Sequence, residues 1–153
     1  MGLTFRVAGL DIASVASGFV VIEASAREGR PPFDYEVLHQ EALRNEPGFT
    51  GRVKASKYLA TKIQEIGVDM VALEECAPIG GSNTTGLQQS AFLEMVMFQL
   101  YEAGIPLMII PPTTMRSFVS ASTGKQSKNS IMDNLDERYG FRAQHSRNKE
   151  RSD

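Results

Sequence analysis

A single cysteine, Cys76, stands in a chain of 153 residues. One thiol can neither close an intrachain disulfide nor build a cysteine-only metal cluster; its isolation fits a reducing compartment, and it reads as a packing residue. Apolar runs are short as well, none approaching the roughly 20 residues that a membrane span requires. The opening MGLTFRVAGLD has no charged leader and no cleavage site. A cytoplasmic location is therefore expected, with no membrane contact. Internal repeats, sustained heptads and low-complexity tracts are also missing. What remains is 42% apolar and 22% charged, in 16.8 kDa, the balance of one globular domain with a real core. Two catalytic domains do not fit in this length.

An overall excess of positive charge is lacking too: the net charge is -2 and the pI about 5.7. The distribution is uneven, since residues 1–115 carry a net of -5 and residues 116–153 a net of +3. A locally basic segment can meet a polyanion whatever the total charge. A solvated helical tail would look the same.

The apolar segments Phe5–Asp11 and Gly18–Ala24 have strand length and composition, and Ala13–Ser17 between them is too short for a crossover, so they predict an antiparallel hairpin. Tyr35–Ala42 offers a third strand beyond the Gly/Pro-bearing loop Arg27–Asp34. Arg52–Ile66 has helical apolar spacing ended by Gly67. Asp69–Glu74 (DMVALE) has the nearly continuous apolar pattern of a central strand covered on both faces. After the glycine-bearing loop Pro78–Thr85, Leu87–Ala103 reads as a helix apolar on nearly all sides, more than a small monomer usually buries. Pro106–Ile110 predicts a fifth strand, Thr113–Ser120 a short helix and Lys128–Tyr139 a longer one. The order β-β-β-α-β-α-β-α predicts an α/β, ribonuclease-H-like domain over residues 1–153: a mixed five-stranded sheet flanked by helices on both faces. The polar end RAQHSRNKERSD supplies no apolar closing element, so either the final C-terminal helix is missing from this sequence or the last segment is of another kind.

Asp11 follows the apolar run FRVAGL, and an ionised carboxylate ending a core strand is costly without a cation or hydrogen bonds. Gly9 and Gly18 remove the Cβ atoms that would keep a ligand away. Glu74 and Glu75 end the DMVAL run in the same way. Neighbouring strand residues face opposite ways, so only one of them can join Asp11, and periodicity alone does not choose. Glu150 and Asp153 lie one helical turn apart, a repulsion that a divalent cation would turn into attraction. Oxygen-only ligation points to Mg²⁺ or Mn²⁺, not zinc. Two such ions at roughly 4 Å can activate a water and stabilise the leaving oxygen of a phosphodiester. His39 sits in an expected strand away from the acids and reads as structural, whereas His145 could contact phosphate or assist a proton transfer.

VAGLDIASVASGFVVI, VALEE and the closing ERSD, in that order and spacing, resemble the three acidic motifs of the RuvC-type Holliday-junction resolvases, within the ribonuclease-H-like superfamily. The resemblance spans about Phe5 to Asp153. It implies a catalytic and metal-binding set of Asp11, Glu74, Glu150 and Asp153, with Glu75 where the family often has a neutral polar residue, and two Mg²⁺ or Mn²⁺ ions per site. It places Arg116 and Lys128 near the scissile phosphate, Lys128 in a catalytic role, with Lys125 close by; His145, from its own position near the last acids, is expected as a further DNA contact. It further implies a homodimer formed through Leu87–Ala103, nicking strands of like polarity in a four-way junction. Ala77 and Ile79 stand where such enzymes can carry an aromatic probe, so base wedging is expected to be weak.

Two competing readings belong beside this one. Another ribonuclease-H-like nuclease, acting on other branched DNA or on an RNA–DNA hybrid, would share the acids but has less need of an apolar dimer helix. A non-catalytic junction-binding protein would keep the fold, yet four unneutralised carboxylates would repel its DNA.

Overall fold

The computed structural model describes residues 3–26, 34–76, 84–119, 133 and 135–137. The elements run β1 (Leu3–Asp11), β2 (Ala16–Ala26), β3 (Asp34–Arg44), α1 (Gly48–Ile66), β4 (Met70–Glu74), α2 (Thr84–Glu102), β5 (Leu107–Ile110) and α3 (Pro112–Val119). Of the expected helix Lys128–Tyr139, residue 133 and residues 135–137 are described and helical; the rest lies outside the described residues. The strands form one sheet in the order β3-β2-β1-β4-β5. β1, β2 and β3 pair antiparallel, while β1–β4 and β4–β5 pair parallel. This is the ribonuclease-H-like α/β class, a mixed five-stranded sheet flanked by helices.

Alternation along β1 explains where the core forms. Ala8 and Leu10 point to one face with Phe19 and Val21 of β2 and Val71 and Leu73 of β4, and all six are buried. Leu59 and Ile63 of α1 and Phe92, Val96 and Leu100 of α2 complete the same cluster. Burial of this kind contributes about 1.5–3 kcal/mol for each large side chain.

Helix α1 begins four residues before the expected Arg52 because Pro47 and Gly48 act as its entry rather than as a break. Pro47 is the extended N-cap, and the chain then folds back so that a Cβ at Gly51 would collide with the Glu46 carbonyl. Its end is as expected: Gly67 adopts a left-handed φ of 74° and donates to the Gln64 carbonyl, and Val68 N–H closes onto Ile63 O at 3.3 Å.

The predicted structural role of His39 agrees with its surroundings. Its ring lies 4.8 Å from that of Phe19, and Nε2 is 3.1 Å from Glu41 Oε2. Tyr58 Oη donates to the same carboxylate at 2.9 Å, which, with burial, raises the phenol's pKa.

The chain divides into two compact units, Met1–Ile110 and Pro111–Asp153. The first holds the sheet with α1 and α2. The second holds α3, in which Met115 N–H closes on Pro111 O at 3.1 Å and Ser117 Oγ donates to Thr113 O at 2.8 Å. No helix among the described residues is long and apolar enough to cross a membrane.

Helix α2 requires one correction to a sequence-based assignment. The sequence offers Phe92 or Met95 of this helix to a partner subunit, but Phe92 is 0% exposed, packed into the core of its own chain, and Met95 is half-buried. The outward apolar residues are Leu87, Phe98 and Tyr101, at 68%, 59% and 74% exposure. They fall on one helical stripe with Ala91 and Glu94, both exposed.

Candidate active site

The parallel register of β1 and β4 pairs Gly9 with Ala72 and Leu10 with Leu73, so the next level is Asp11 beside Glu74. Level residues of paired strands share a face. Val7, Gly9 and Asp11 thus lie with Met70, Ala72 and Glu74 on the face opposite Ala8 and Leu10. Neighbouring strands are about 5 Å apart, which is within the reach of two carboxylates sharing an ion. Gly18 of β2 is level with Asp11 on one side, and Ile110 of β5 is level with Glu74 on the other. A Cβ at Gly18 would meet Asp11 Cβ at 3.7 Å, an ordinary contact, and one at Gly9 would meet nothing within 4 Å. The two glycines therefore leave open space over the acids without being demanded by a clash.

Sequence reasoning placed Asp11 in a costly apolar setting, and here the structure differs. Asp11 is exposed, because its face of the sheet is open at this level. Glu74 is half-buried, and Glu75 lies just past the strand end, exposed, with its N–H on Ile110 O at 2.9 Å.

The turn after Asp11 is held by residues that the sequence did not single out for this purpose. Ser17 is buried and its hydroxyl donates to Ala13 O at 3.3 Å. Asn45 Nδ2 donates to the same carbonyl at 2.7 Å, and Asn45 N–H donates to Val15 O at 2.9 Å. From α2, Gln89 Nε2 reaches Ile12 O at 2.9 Å. An asparagine directly after a strand was a usable signal for Asn45, since its side chain readily bonds nearby backbone. Gln89 gave none, because its partner is far away in the chain.

Cys76 reports on the charge gathered here. It packs against the core as a partly buried residue. Burial pushes its thiol pKa up first, and the negative charges of Glu74, Asp11 and Glu75 push it further. Since the thiolate is the nucleophile, Cys76 should alkylate slowly at pH 8, and Asp11→Asn or Glu74→Gln should each speed it. Iodoacetamide labelling followed by mass spectrometry measures this; identical rates in all three proteins would mean that the carboxylates do not face the thiol.

Among the described residues no group of three or more His, Cys, Asp or Glu side chains is placed to hold a metal ion. Arg116 falls within α3. Lys125, Lys128, His145, Glu150 and Asp153 lie outside the described residues, as do Ala77 and Ile79.

No family model matches the sequence, and no curated protein does. Solved structures do match. The chain is similar to Thermus thermophilus RuvC in complex with a Holliday-junction substrate, at a TM-score of 0.73 and 20% identity, over 91% of this chain and 82% of that one. A second Thermus thermophilus RuvC structure matches at 0.71, with the same identity and coverage. The fold is RuvC-like. In this RuvC-like sheet, Asp11 and Glu74 stand at the carboxyl ends of its first and fourth strands, side by side.

Proposed function

We propose that this protein is a structure-selective endonuclease that resolves four-way DNA junctions by divalent-metal-dependent phosphodiester hydrolysis. The observation that carries the reading is the level, same-face placement of Asp11 and Glu74 at adjacent parallel strand ends. It is supported by the likeness of the whole fold to RuvC, one structure of which contains a Holliday junction.

The donors suit Mg²⁺ or Mn²⁺. Asp11 and Glu74 offer hard oxygens, the donors such ions take, while burial and the neighbouring acids raise the pKa of the soft neighbour, Cys76. Asp11 and Glu74 would hold the metal with Glu150 and Asp153, as two ions per site. Bound there, such ions supply Lewis-acid stabilisation of the phosphoryl oxygens and lower the pKa of a bound water. The chain's own contribution is to orient the acids: β1 and β4 hold Asp11 and Glu74 at one level, and the Ser17–Asn45–Gln89 bonds fix the backbone that follows Asp11. Arg116, Lys125 and Lys128, with His145, would hold the DNA backbone, Lys128 nearest the phosphate that is cut.

The same reading includes a homodimer. The Leu87–Phe98–Tyr101 stripe of α2 would meet its symmetry mate, placing two sites about a two-fold axis. A cavity of about 320 Å³ between α1 and α2, lined by Val53, Ser56, Glu94, Met95, Phe98 and Gln99, adjoins that stripe.

The test is cleavage of a synthetic four-way junction beside a matched linear duplex and an RNA–DNA hybrid. In Mg²⁺ the junction should be cut at symmetric positions and the duplex left intact, with no product in EDTA. Equal cutting of the duplex, or faster cutting of the hybrid, would remove junction resolution as the function.

A further inference from the structure

The side chains of β4 do little to fix its own position in the sheet. Met70, Val71, Ala72 and Leu73 are apolar on both faces, so polarity does not tell the faces apart, although Val71 and Leu73 are buried and Met70 and Ala72 only half-buried. A shift of one residue against β1 would turn every β4 side chain to the other face. Such a shift would also bring Glu75 beside Asp11 in place of Glu74. The doubled acid would still bring a carboxylate beside Asp11 in that register, at the cost of turning the buried Val71 and Leu73 out of the core, and contacts at the start of the strand add to that cost.

The structure holds such a device at the opposite end of the same strand pair. One level before Val7 and Met70, Arg6 N–H donates to Asp69 Oδ2 at 2.7 Å, while Asp69 N–H donates to Arg6 O at 2.9 Å. A carboxylate side chain thus receives the first β1 amide that faces β4, so the contact depends on the residue type at position 69. The Arg6 side chain anchors the other half: Nε bonds Glu23 of β2 at 2.7 Å, and Nη1 bonds Ile66 O at the end of α1, also at 2.7 Å. Arg6 is thereby tied to β2, to the end of α1 and to the start of β4. Asp11 and Glu74 lie the same number of residues further along each strand.

We infer that the Arg6–Asp69 pair sets the register of β4 against β1 and so selects Glu74, rather than Glu75, as the carboxylate beside Asp11. Asp69 is a positioning residue: it touches neither metal nor DNA and acts through Glu74. The inference rests on reading Asp11 and Glu74 as the metal site, so its test separates register from metal binding.

Cross-strand amide contacts in isotope-labelled full-length protein report the register directly. The wild type and Asp69→Asn, which keeps an acceptor oxygen, should show one set, with Leu10 opposite Leu73. Asp69→Ala should show a second set with Leu10 opposite Glu74. Mn²⁺ titration is the second readout. In the wild type, Glu74→Gln should weaken binding about tenfold and Glu75→Gln less than about twofold; in the Asp69→Ala background, Glu75→Gln should weaken it about fivefold, as expected when ligand positions shift by ångströms. A single, wild-type register in Asp69→Ala overturns the inference. A displaced register together with Mn²⁺ binding indifferent to Asp11→Asn leaves the clamp standing and overturns the metal-site reading. Should Asp69→Ala fail to fold, Asp69→Leu, which keeps the bulk of the side chain and removes the acceptor, is read in the same way.

Discussion

Asp11→Asn should lower junction cleavage about a thousandfold, corresponding to the several kcal/mol that metal assistance contributes, while the fold and junction binding persist. The substitution is nearly isosteric. Asp11 is exposed, and among the described residues its carboxylate makes no hydrogen bond or ion pair, so the change removes charge without breaking a contact. β1 should keep its ladder to β2 and β4, because that ladder is made by backbone groups. Thermal unfolding should therefore be little changed, and calcium-supported junction binding should be retained or strengthened as one repulsive charge leaves the DNA face. Single-turnover cleavage in Mg²⁺ measures the loss. Turnover within tenfold of wild type would move the chemistry away from the β1–β4 strand ends.

Phe98→Glu should convert a dimer into monomers. Phe98 is a majority-exposed aromatic on the Leu87–Tyr101 stripe; in a dimer it would be desolvated, and a carboxylate there would be buried in apolar surroundings with no partner. Its exposure within the chain predicts little cost to the monomer's own stability, normally within about 0.5 kcal/mol for surface positions. Phe92→Ala makes the contrast: Phe92 is fully buried, and the change should cost about 3–5 kcal/mol of folding stability. Sedimentation equilibrium at tens of micromolar distinguishes the two, and paired nicking of a junction should become single and uncoordinated in Phe98→Glu. A wild-type chain that sediments as a monomer at that concentration would leave the stripe without its proposed partner.

Much of this architecture was readable because it depends on local pattern. Two apolar runs separated by a turn too short for a crossover can only form a hairpin, and a long connection into DMVAL permits the parallel return that places β4 beside β1. Gly67 marked the end of α1 through a backbone conformation that other residues adopt only at a cost. The α1 start was less legible, because Pro47, Gly48 and Gly51 have the composition of a break; the close approach of the Glu46 carbonyl, a matter of the folded backbone, is what makes Gly51 part of the helix.

The sequence by itself determined the element order, the hairpin whose first strand ends at Asp11 and the arrival of an acid at the end of β4, since each follows from hydrophobic period and turn chemistry along the chain. It did not determine which of Glu74 and Glu75 stands by Asp11, because a strand apolar on both faces has no phase of its own; pairing with β1, pinned by Arg6 and Asp69, supplies it. Nor did it distinguish Phe92 from Phe98. A helix apolar all round carries no inward direction, and only packing against α1 and the sheet decides which aromatic is core and which is surface.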